Sequence, residues 1–418
     1  MIFKIALRNI FRHKRRTFIS AITIAFGLAV FILMDSLMSG VDRASLENMI
    51  NLTDGSIKIM TKEYAADKMA YPLKYGITNP EAFIRYVESL PEKPELTPRL
   101  QFLSEIIGTR QSLRVAGTVI DPVKDRKVFA LPKYISSGAF FSKNNGQEVL
   151  LGKNLARDLG VGVGDTVMLS AQTRFETNNA LDFQVAGILE TAAPGINQSG
   201  VFITFEGARQ LLDSGELVTE YDVHIPWSKL EDSNAYNQRL NGIKEKFQQK
   251  FPALSVNTFY DANRSYIEIM GTKRKSQSML VFFILLIGAV GIVNTVLMSV
   301  YERIREVGVL RALGIKPKEI ERMFIYEGML IGVTGGLMGM IAGFLGNLWL
   351  VNTGWDVTSM MKDFDASQFP IWGVFYGQWS IKSFVTAFIL GVAIAVLAAI
   401  VPARKAAKIT PTQCLKFV

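Results

Sequence analysis

Four stretches of this chain contain no Asp, Glu, Lys or Arg: Thr17 to Met34, Ser276 to Tyr301, Gly328 to Trp355 and Ser383 to Pro402. They are 18 to 28 residues long, and a helix needs about 20 apolar residues to cross the hydrocarbon core of a bilayer. Core helices of a soluble protein keep a polar face. The pattern therefore predicts an α-helical membrane protein with four transmembrane helices, the first separated from the other three by a long polar insert. The plan is a helix over 1–16, spans at 17–39, 276–301, 326–352 and 383–403, an inserted domain at 40–275, a connector at 302–325, a loop at 353–382 and a tail at 404–418.

Within the insert, helical spacing persists from Asp35 to Thr53 (Leu37, Val41, Ala44, Met49) and again from Asp261 to Ser276, so the first two spans are expected to continue outward as stalks. Between them the alternation of apolar and polar positions predicts strands at Ser56–Met60, Leu100–Ile107, Ser112–Ile120, Val167–Ser170, Phe183–Leu189, Gly200–Phe205 and Ser255–Phe259. Helices are expected at Asn79–Leu90, with Asn79 as cap and Pro80 at the first position, at Asn154–Leu159 and at Ala235–Phe251. This is an α+β unit split by a β-rich insertion.

Charge adds orientation. Lys4, Arg8, Arg12, Lys14, Arg15 and Arg16 precede the first span with no acid among them, and Arg404, Lys405, Lys408 and Lys416 follow the last. The connector is also net basic, and the three stretches together exceed the chain's +9, so the remainder is net acidic. Basic flanks stay in the cytoplasm. Both termini and the connector are thus expected inside, with the insert and the 353–382 loop outside, although Lys273, Arg274 and Lys275 run against this rule. The basicity reports topology, and nucleic acid is not expected as a partner. Residues 1–16 are either an amphipathic helix at the lipid surface, with Phe3, Leu7, Ile10 and Phe11 on one face, or a simple positive flank.

Several chemistries drop out. The single cysteine, Cys414, cannot form an intrachain disulfide, and the two histidines, His13 and His224, are expected on opposite sides of the membrane. No metal, cofactor-binding or catalytic residues are predicted. The glycines of Gly160 to Gly164 lack the Lys-Ser/Thr of a phosphate loop and read as a turn into a strand. The spans hold no mid-membrane charge of the kind an ion-coupled transporter uses. The third carries Gly335, Gly339 and Gly343 at four-residue spacing. Such a stripe permits close helix packing, though glycine is also common in membrane helices at large.

The segment Glu302-Arg-Ile-Arg305-Glu306-Val-Gly308-Val-Leu-Arg311-Ala-Leu-Gly314, the run Glu319 to Gly328 and the ending Val401-Pro-Ala-Arg404-Lys-Ala-Ala407 through Pro411 together resemble the ABC transporter permeases of the MacB, LolC/LolE and FtsX group. The resemblance extends over essentially the whole chain. It implies a non-catalytic permease subunit of a bacterial inner membrane that works as a lever, with ATP and Mg bound by a separate cytoplasmic ABC ATPase dimer of the LolD or MacB type. A second permease copy or a homologue would complete the assembly. Residues Glu302, Arg305, Glu306, Val307, Gly308, Arg311 and Gly314 are the implied ATPase contact. The insert is implied to pair a Porter-like part, about 54–118 and 232–262, with a Sabre-like part, about 119–231.

For cargo, the resemblance points first to extraction of lipoproteins, on Ala156-x-x-Leu-Gly-Val-x-Val-Gly-Asp165 and Phe183-x-Val-Ala-Gly-Ile188. MacB-like export of a toxin or peptide and an FtsX-like scaffold for a cell-wall hydrolase are the alternatives. An apolar cradle for acyl chains is expected where the first two spans leave the membrane, from Met34, Leu37, Met38 and Val41 on one and Ile267, Met270 and Met279 on the other. A periplasmic carrier would meet a projecting hairpin in some relatives. Here the corresponding stretch, Ala171 to Leu181, is short and lacks proline, which reads as an ordinary hairpin turn.

Overall fold

The structure, a computed structural model, describes residues 2–12, 14–77, 80–141, 146–228, 231–356 and 374–409. Asn79, His13, Pro411, Cys414 and Lys416 lie outside these residues, as does 357–373 of the loop before the fourth span. The chain divides into two compact units, one of Met1–Asp42, Glu268–Asp356 and Val374–Val418, the other of Arg43–Ile267 and Val357–Gly373.

The first unit contains the spans. They form where the uncharged runs lie, as helices Lys14–Met49, Arg264–Glu302, Pro317–Asn352 and Ile381–Lys408. Each exceeds its apolar run because polar residues extend the helix at about 1.5 Å each. A separate helix, Ile2–Arg12, precedes the first span, and a short helix, Ile304–Ala312, lies between the second and third. The core of this unit joins Ile24, Leu28 and Ile32 of the first span, Ile292, Val296 and Val300 of the second, Met323, Phe324 and Ile331 of the third, and Ala387, Ala395 and Ala399 of the fourth.

The second unit is built on one ten-stranded mixed sheet. Its strands are β1 (Ile57–Thr61), β2 (Glu95–Ile107), β3 (Ser112–Ile120), β4 (Ile135–Gly138), β5 (Glu148–Gly152), β6 (Thr166–Gln172), β7 (Asn178–Leu189), β8 (Val201–Thr204), β9 (Glu220–His224) and β10 (Leu254–Thr258). The order β10-β1-β9-β2-β3-β8-β5-β7-β4 shows two neighbourhoods sharing β2, whose first half pairs with β9 and whose last residues pair with β6. A boundary at 231 would leave β9 in the insertion, although its hydrogen bonds join it to β1 and β2. Helices Glu81–Glu88 and Ser233–Lys250 supply Phe83, Tyr86 and Phe247, and Phe83 meets Tyr221 of β9 edge-on at 5.0 Å. The larger core sits under the other strands, around Phe102, Leu155, Leu169, Phe183 and Ile203.

Local chemistry explains the turns. Gly160 ends helix Lys153–Leu159 with a left-handed φ of 71°, and Gly164, at φ 93°, turns the chain into β6 while the Asp165 carboxylate accepts from Gly162 N at 2.8 Å. The β6–β7 hairpin closes over Thr173 to Thr177, whose hydroxyls are 2.7 Å apart.

Candidate functional site

The geometry at the basic end of the span unit starts from one residue. The second span stops at Glu302, and Arg303 (φ −114°, ψ 17°) leaves the helical region before the short helix Ile304–Ala312 begins. Gly314, at φ 94°, supplies the left-handed residue that ends this segment, and Pro317 starts the third span with the Glu319 carboxylate accepting from Lys316 N at 2.9 Å. The short helix buries Ile304, Val307 and Gly308 against the unit and exposes Glu302, Arg305, Glu306, Val309, Ala312, Leu313 and Gly314, with Arg311 between. Val309 and Leu313 are large apolar side chains, 52% and 76% exposed, on a segment otherwise rimmed by charge.

Behind that exposed face lies a buried polar cluster. Glu327, 4% exposed, sits in the third span directly before its apolar run. Its Oε1 accepts from Arg303 Nη1 at 2.6 Å and from Asn9 Nδ2 of the N-terminal helix at 2.7 Å, and its Oε2 accepts from Ser299 Oγ at 3.2 Å. The same Arg303 donates through Nε to Glu306 Oε2 at 3.0 Å, and Arg12 Nη1 donates to Glu306 Oε1 at 3.1 Å. Burial pushes the Glu306 carboxyl up, but the hydrogen bonds and charges of Arg303 and Arg12 outweigh it and hold the group below the usual range. The N-terminal helix is seated on the third span, with Ala6 fully buried and Phe3 edge-on to Tyr326 at 5.8 Å. Sequence reasoning gave none of Asn9, Arg12, Ser299 and Glu327 a place in a site, and read Arg12 only as part of the basic flank. The one signal for them was an acid, Glu327, at the threshold of an uncharged span.

The glycines of the third span face two neighbours. A Cβ on Gly335 or Gly339 would lie 2.8–2.9 Å from the backbone oxygens of Ala21 or Ala25 in the first span, and one on Gly343 would lie 2.8 Å from Ile32 Cδ1. On the adjacent row, Gly332 faces Ala395 and Gly336 faces Phe388 of the fourth span. At the end of the bundle away from Glu327, the polar side chains pair locally: Asp35 with Ser383, and Ser36 with the fully buried Asn347. Arg274 and Lys273, the basic residues that defy the charge rule, lie 2.9 Å and 3.9 Å from the buried carboxylate of Asp42. A shallow groove of about 180 Å³ between the second and fourth spans is lined by Phe282, Leu286, Ala289, Ile394, Leu397 and Ala398, an apolar surface suited to lipid.

Of the seven residues expected to line an acyl-chain cradle, Met34 and Met279 are exposed, and Leu37, Met38, Val41, Ile267 and Met270 are half-buried.

The inserted unit holds its own charge cluster. Lys58 of β1, Thr97 and Arg99 of β2, and Glu220 and Asp222 of β9 share one face of the sheet, because Lys58 is opposite Asp222 and Arg99 opposite Glu220. Lys58 Nζ lies 3.1 Å from Glu220 and 3.2 Å from Asp222, and Arg99 donates to Asp125 at 2.8 Å and 3.1 Å. Burial pushes the Asp222 carboxyl up to about 7, against the pull of Lys58. Burial also acts to raise Glu220, but the charges of Lys58 and Lys68 overcome it and hold the group at about 2. Among the described residues, no group of three His, Cys, Asp or Glu side chains could hold a metal ion.

Comparison with known proteins places these features. Residues 17–235 match the family described as MacB-like periplasmic core domain, just over half of the chain, and residues 278–411 match FtsX-like permease C-terminal. The chain is 23% identical over 436 residues to the lipoprotein-releasing system transmembrane protein LolC of Xylella fastidiosa, covering 99% of this chain and 98% of that one. It is 22% identical over 438 residues to the macrolide export ATP-binding/permease protein MacB of Vibrio parahaemolyticus, covering 99% of this chain but 59% of the relative. The solved periplasmic region of MacB from Actinobacillus actinomycetemcomitans is similar at 15% identity and a TM-score of 0.34, over 54% of this chain and 97% of that one. With four apolar spans around a large α/β insert and both family matches in register with them, the chain belongs to the MacB/LolC-LolE/FtsX family and is an ABC transporter permease subunit.

Proposed function

We propose that this permease converts ATP-driven movement of a separate cytoplasmic ATPase dimer into extraction of lipoproteins from the outer leaflet of the inner membrane. Both termini and the short helix Ile304–Ala312 face the cytoplasm, and the inserted unit faces outward. The observation that carries the coupling half is the short helix, set off from the second span at Arg303, with Val309 and Leu313 exposed between charged residues. An apolar tip with a charged rim is the composition of a docking element. Of the seven contact residues expected from sequence, Val307 and Gly308 support the helix from behind, and Glu302, Arg305, Glu306, Arg311 and Gly314 are left at or near the surface beside Val309 and Leu313.

The cargo half is supported by similarity to a lipoprotein-releasing system transmembrane protein, with which the chain is 23% identical over 436 residues. Acyl chains are held in a leaflet by about 0.8 kcal/mol per buried CH₂, so extraction needs both force and apolar surface. The partly exposed Met34, Leu37, Met38, Val41, Ile267, Met270 and Met279 offer that surface. A photo-crosslinking amino acid at Leu37 should capture a lipoprotein in cells, with the adduct lost during ATP hydrolysis. Capture of the partner permease alone, with lipoprotein sorting intact after depletion, would reject extraction in favour of toxin or peptide export.

A further inference from the structure

We infer that Arg303 and Glu327 form an electrostatic pivot that makes the short helix, the third span and the N-terminal helix move as one body when the ATPase moves. The inference rests on the reading that Ile304–Ala312 is the ATPase-docking element. Arg303 is the break between the second span and the short helix, the point at which the angle between them can change. The short helix packs on the unit through Ile304, Val307 and Gly308, and the Arg303 side chain, 5% exposed, adds a charged grip on Glu306 on one side and Glu327 on the other. Arg12 to Glu306 is the outer link and is exposed at both ends, 68% and 47%, which leaves it weak. The inner link is different.

Glu327 is a carboxylate among apolar helices, with its oxygens taking three donors from three other segments: Asn9, Ser299 and Arg303. In so dry a place, separating the charges costs far more than it does at a surface, because each is then left buried and unpaired. A push on the short helix therefore drags the third span and the N-terminal helix before it breaks the pair. Because the third span meets the first and fourth through its glycines, the push reaches them too. Arg303 and Glu327 are positioning residues in this scheme, acting through the short helix.

The test uses the full permease with its ATPase in lipid nanodiscs. Spin labels at Leu7 and Ala312, both exposed, report the separation of the N-terminal helix from the short helix, with and without ATP. In the wild type this distance should hold steady through the cycle. In E327Q, which keeps the shape but removes the charge, it should change by about one helical turn, roughly 5 Å, while ATPase copurification and ATP turnover stay within twofold. A wild-type distance that itself changes by such an amount on ATP binding, or an E327Q distance that stays fixed, overturns the pivot. Where E327Q does not accumulate, the wild-type measurement decides, and N9A, which removes one neutral donor, serves as the milder variant. L313E separates the two readings: if it still copurifies with the ATPase, the docking assignment fails whatever the labels report.

Discussion

Replacing Gly339 by alanine adds a single carbon where the third span touches the first. That carbon would sit 2.9 Å from both Ala25 O and Leu28 Cβ, well inside the roughly 3.5–4.0 Å at which carbon contacts are favourable. Neither neighbour is the tip of a flexible side chain, so the two helices must separate by some tenths of an ångström along the whole contact. Overpacking of this kind costs about 1–3 kcal/mol, while alanine returns up to about 1 kcal/mol of helix propensity over glycine. The net expectation is a loss of about 1 kcal/mol, within a range of about 0–2 kcal/mol. The unit contains its own control: Gly288, in the second span, has nothing within 4 Å of the corresponding position, so G288A should be neutral or slightly stabilising. Thermal unfolding of the purified protein in nanodiscs, followed by exposure of a buried thiol reporter, measures both. If G339A melts at or above the wild-type temperature and alongside G288A, the glycines do not set helix approach, and the stripe is composition alone.

Reversing the docking tip with V309E/L313E should abolish ATPase copurification while membrane insertion and melting temperature are unchanged; retained copurification would move the ATPase contact elsewhere. A cysteine at Lys316 in a Cys-free background should stay unlabelled by an impermeant thiol reagent in cells whose outer membrane is permeabilised and inner membrane intact, while one at Phe175, exposed on the β6–β7 turn, should react; the reverse pattern would invert the topology. The inserted unit should lose stability as pH rises toward neutrality. Asp222, pushed up to about 7 mainly by burial, binds its proton more tightly folded than unfolded, where a carboxyl titrates at about 4. Its contribution is thus full below about pH 4 and is lost as pH climbs through about 7, at up to about 1.4 kcal/mol per pH unit. Glu220, held near 2, adds the opposite slope below about pH 4, so these two groups together place the stability maximum near pH 4. Hydrogen exchange of β9 amides in the wild type and D222N, from pH 4 to 8, checks this: the variant's profile should be flatter, and identical profiles would refute the assignment.

The four spans and the insert between the first two are legible because bilayer crossing demands long uncharged runs, a signal that no turn or strand pattern imitates. Strands such as β3 and β7 are legible for the ordinary reason, alternation of buried and exposed positions. β9 is not. Glu220-Tyr-Asp-Val-His224 alternates, but its polar face is as buried as its apolar face, and only the partners Lys58 and Arg99, far away in sequence, make that tolerable. β5 is hidden for a related reason: Glu148-Val-Leu-Leu-Gly152 is buried on both faces and too short to be told from a helix fragment. The Glu327 cluster is invisible by the same logic, since its members come from positions 9, 299, 303 and 327. A charge at the edge of a span reads as a membrane boundary until its partners are known.

The distribution of close contacts also says which span is least constrained. The first, third and fourth spans meet through glycine and alanine along their length, at Gly335, Gly339 and Gly343 on one row and Gly328, Gly332 and Gly336 on the other. Among the described residues, the second span is packed most tightly over its last part, where Ile292, Val296 and Val300 are buried and Thr295 is 2.5 Å from Ser20, and nearer its start it is tied to the first helix by Arg274, 2.9 Å from Asp42. Earlier in the same helix Met279, Phe282, Phe283, Ile287 and Val290 are exposed, and Gly288 and Gly291 face open space. The packed end is the stronger hold, because the Arg274 side chain is 58% exposed and its pair with Asp42 is the weaker for it, and the rod turns about the packed end. The held end is the one beside Arg303 and Glu327, so a small rotation there is amplified toward Met270 and Met279. Because the contact residues at the held end are β-branched and tightly packed, they resist sliding along the helix axis more than tilting about it. Removing bulk there, as in I292A/V296A, should loosen the pivot and reduce ATP-driven displacement of a label at Met279 in nanodiscs; an undiminished displacement would mean that the second span is steered from its other end.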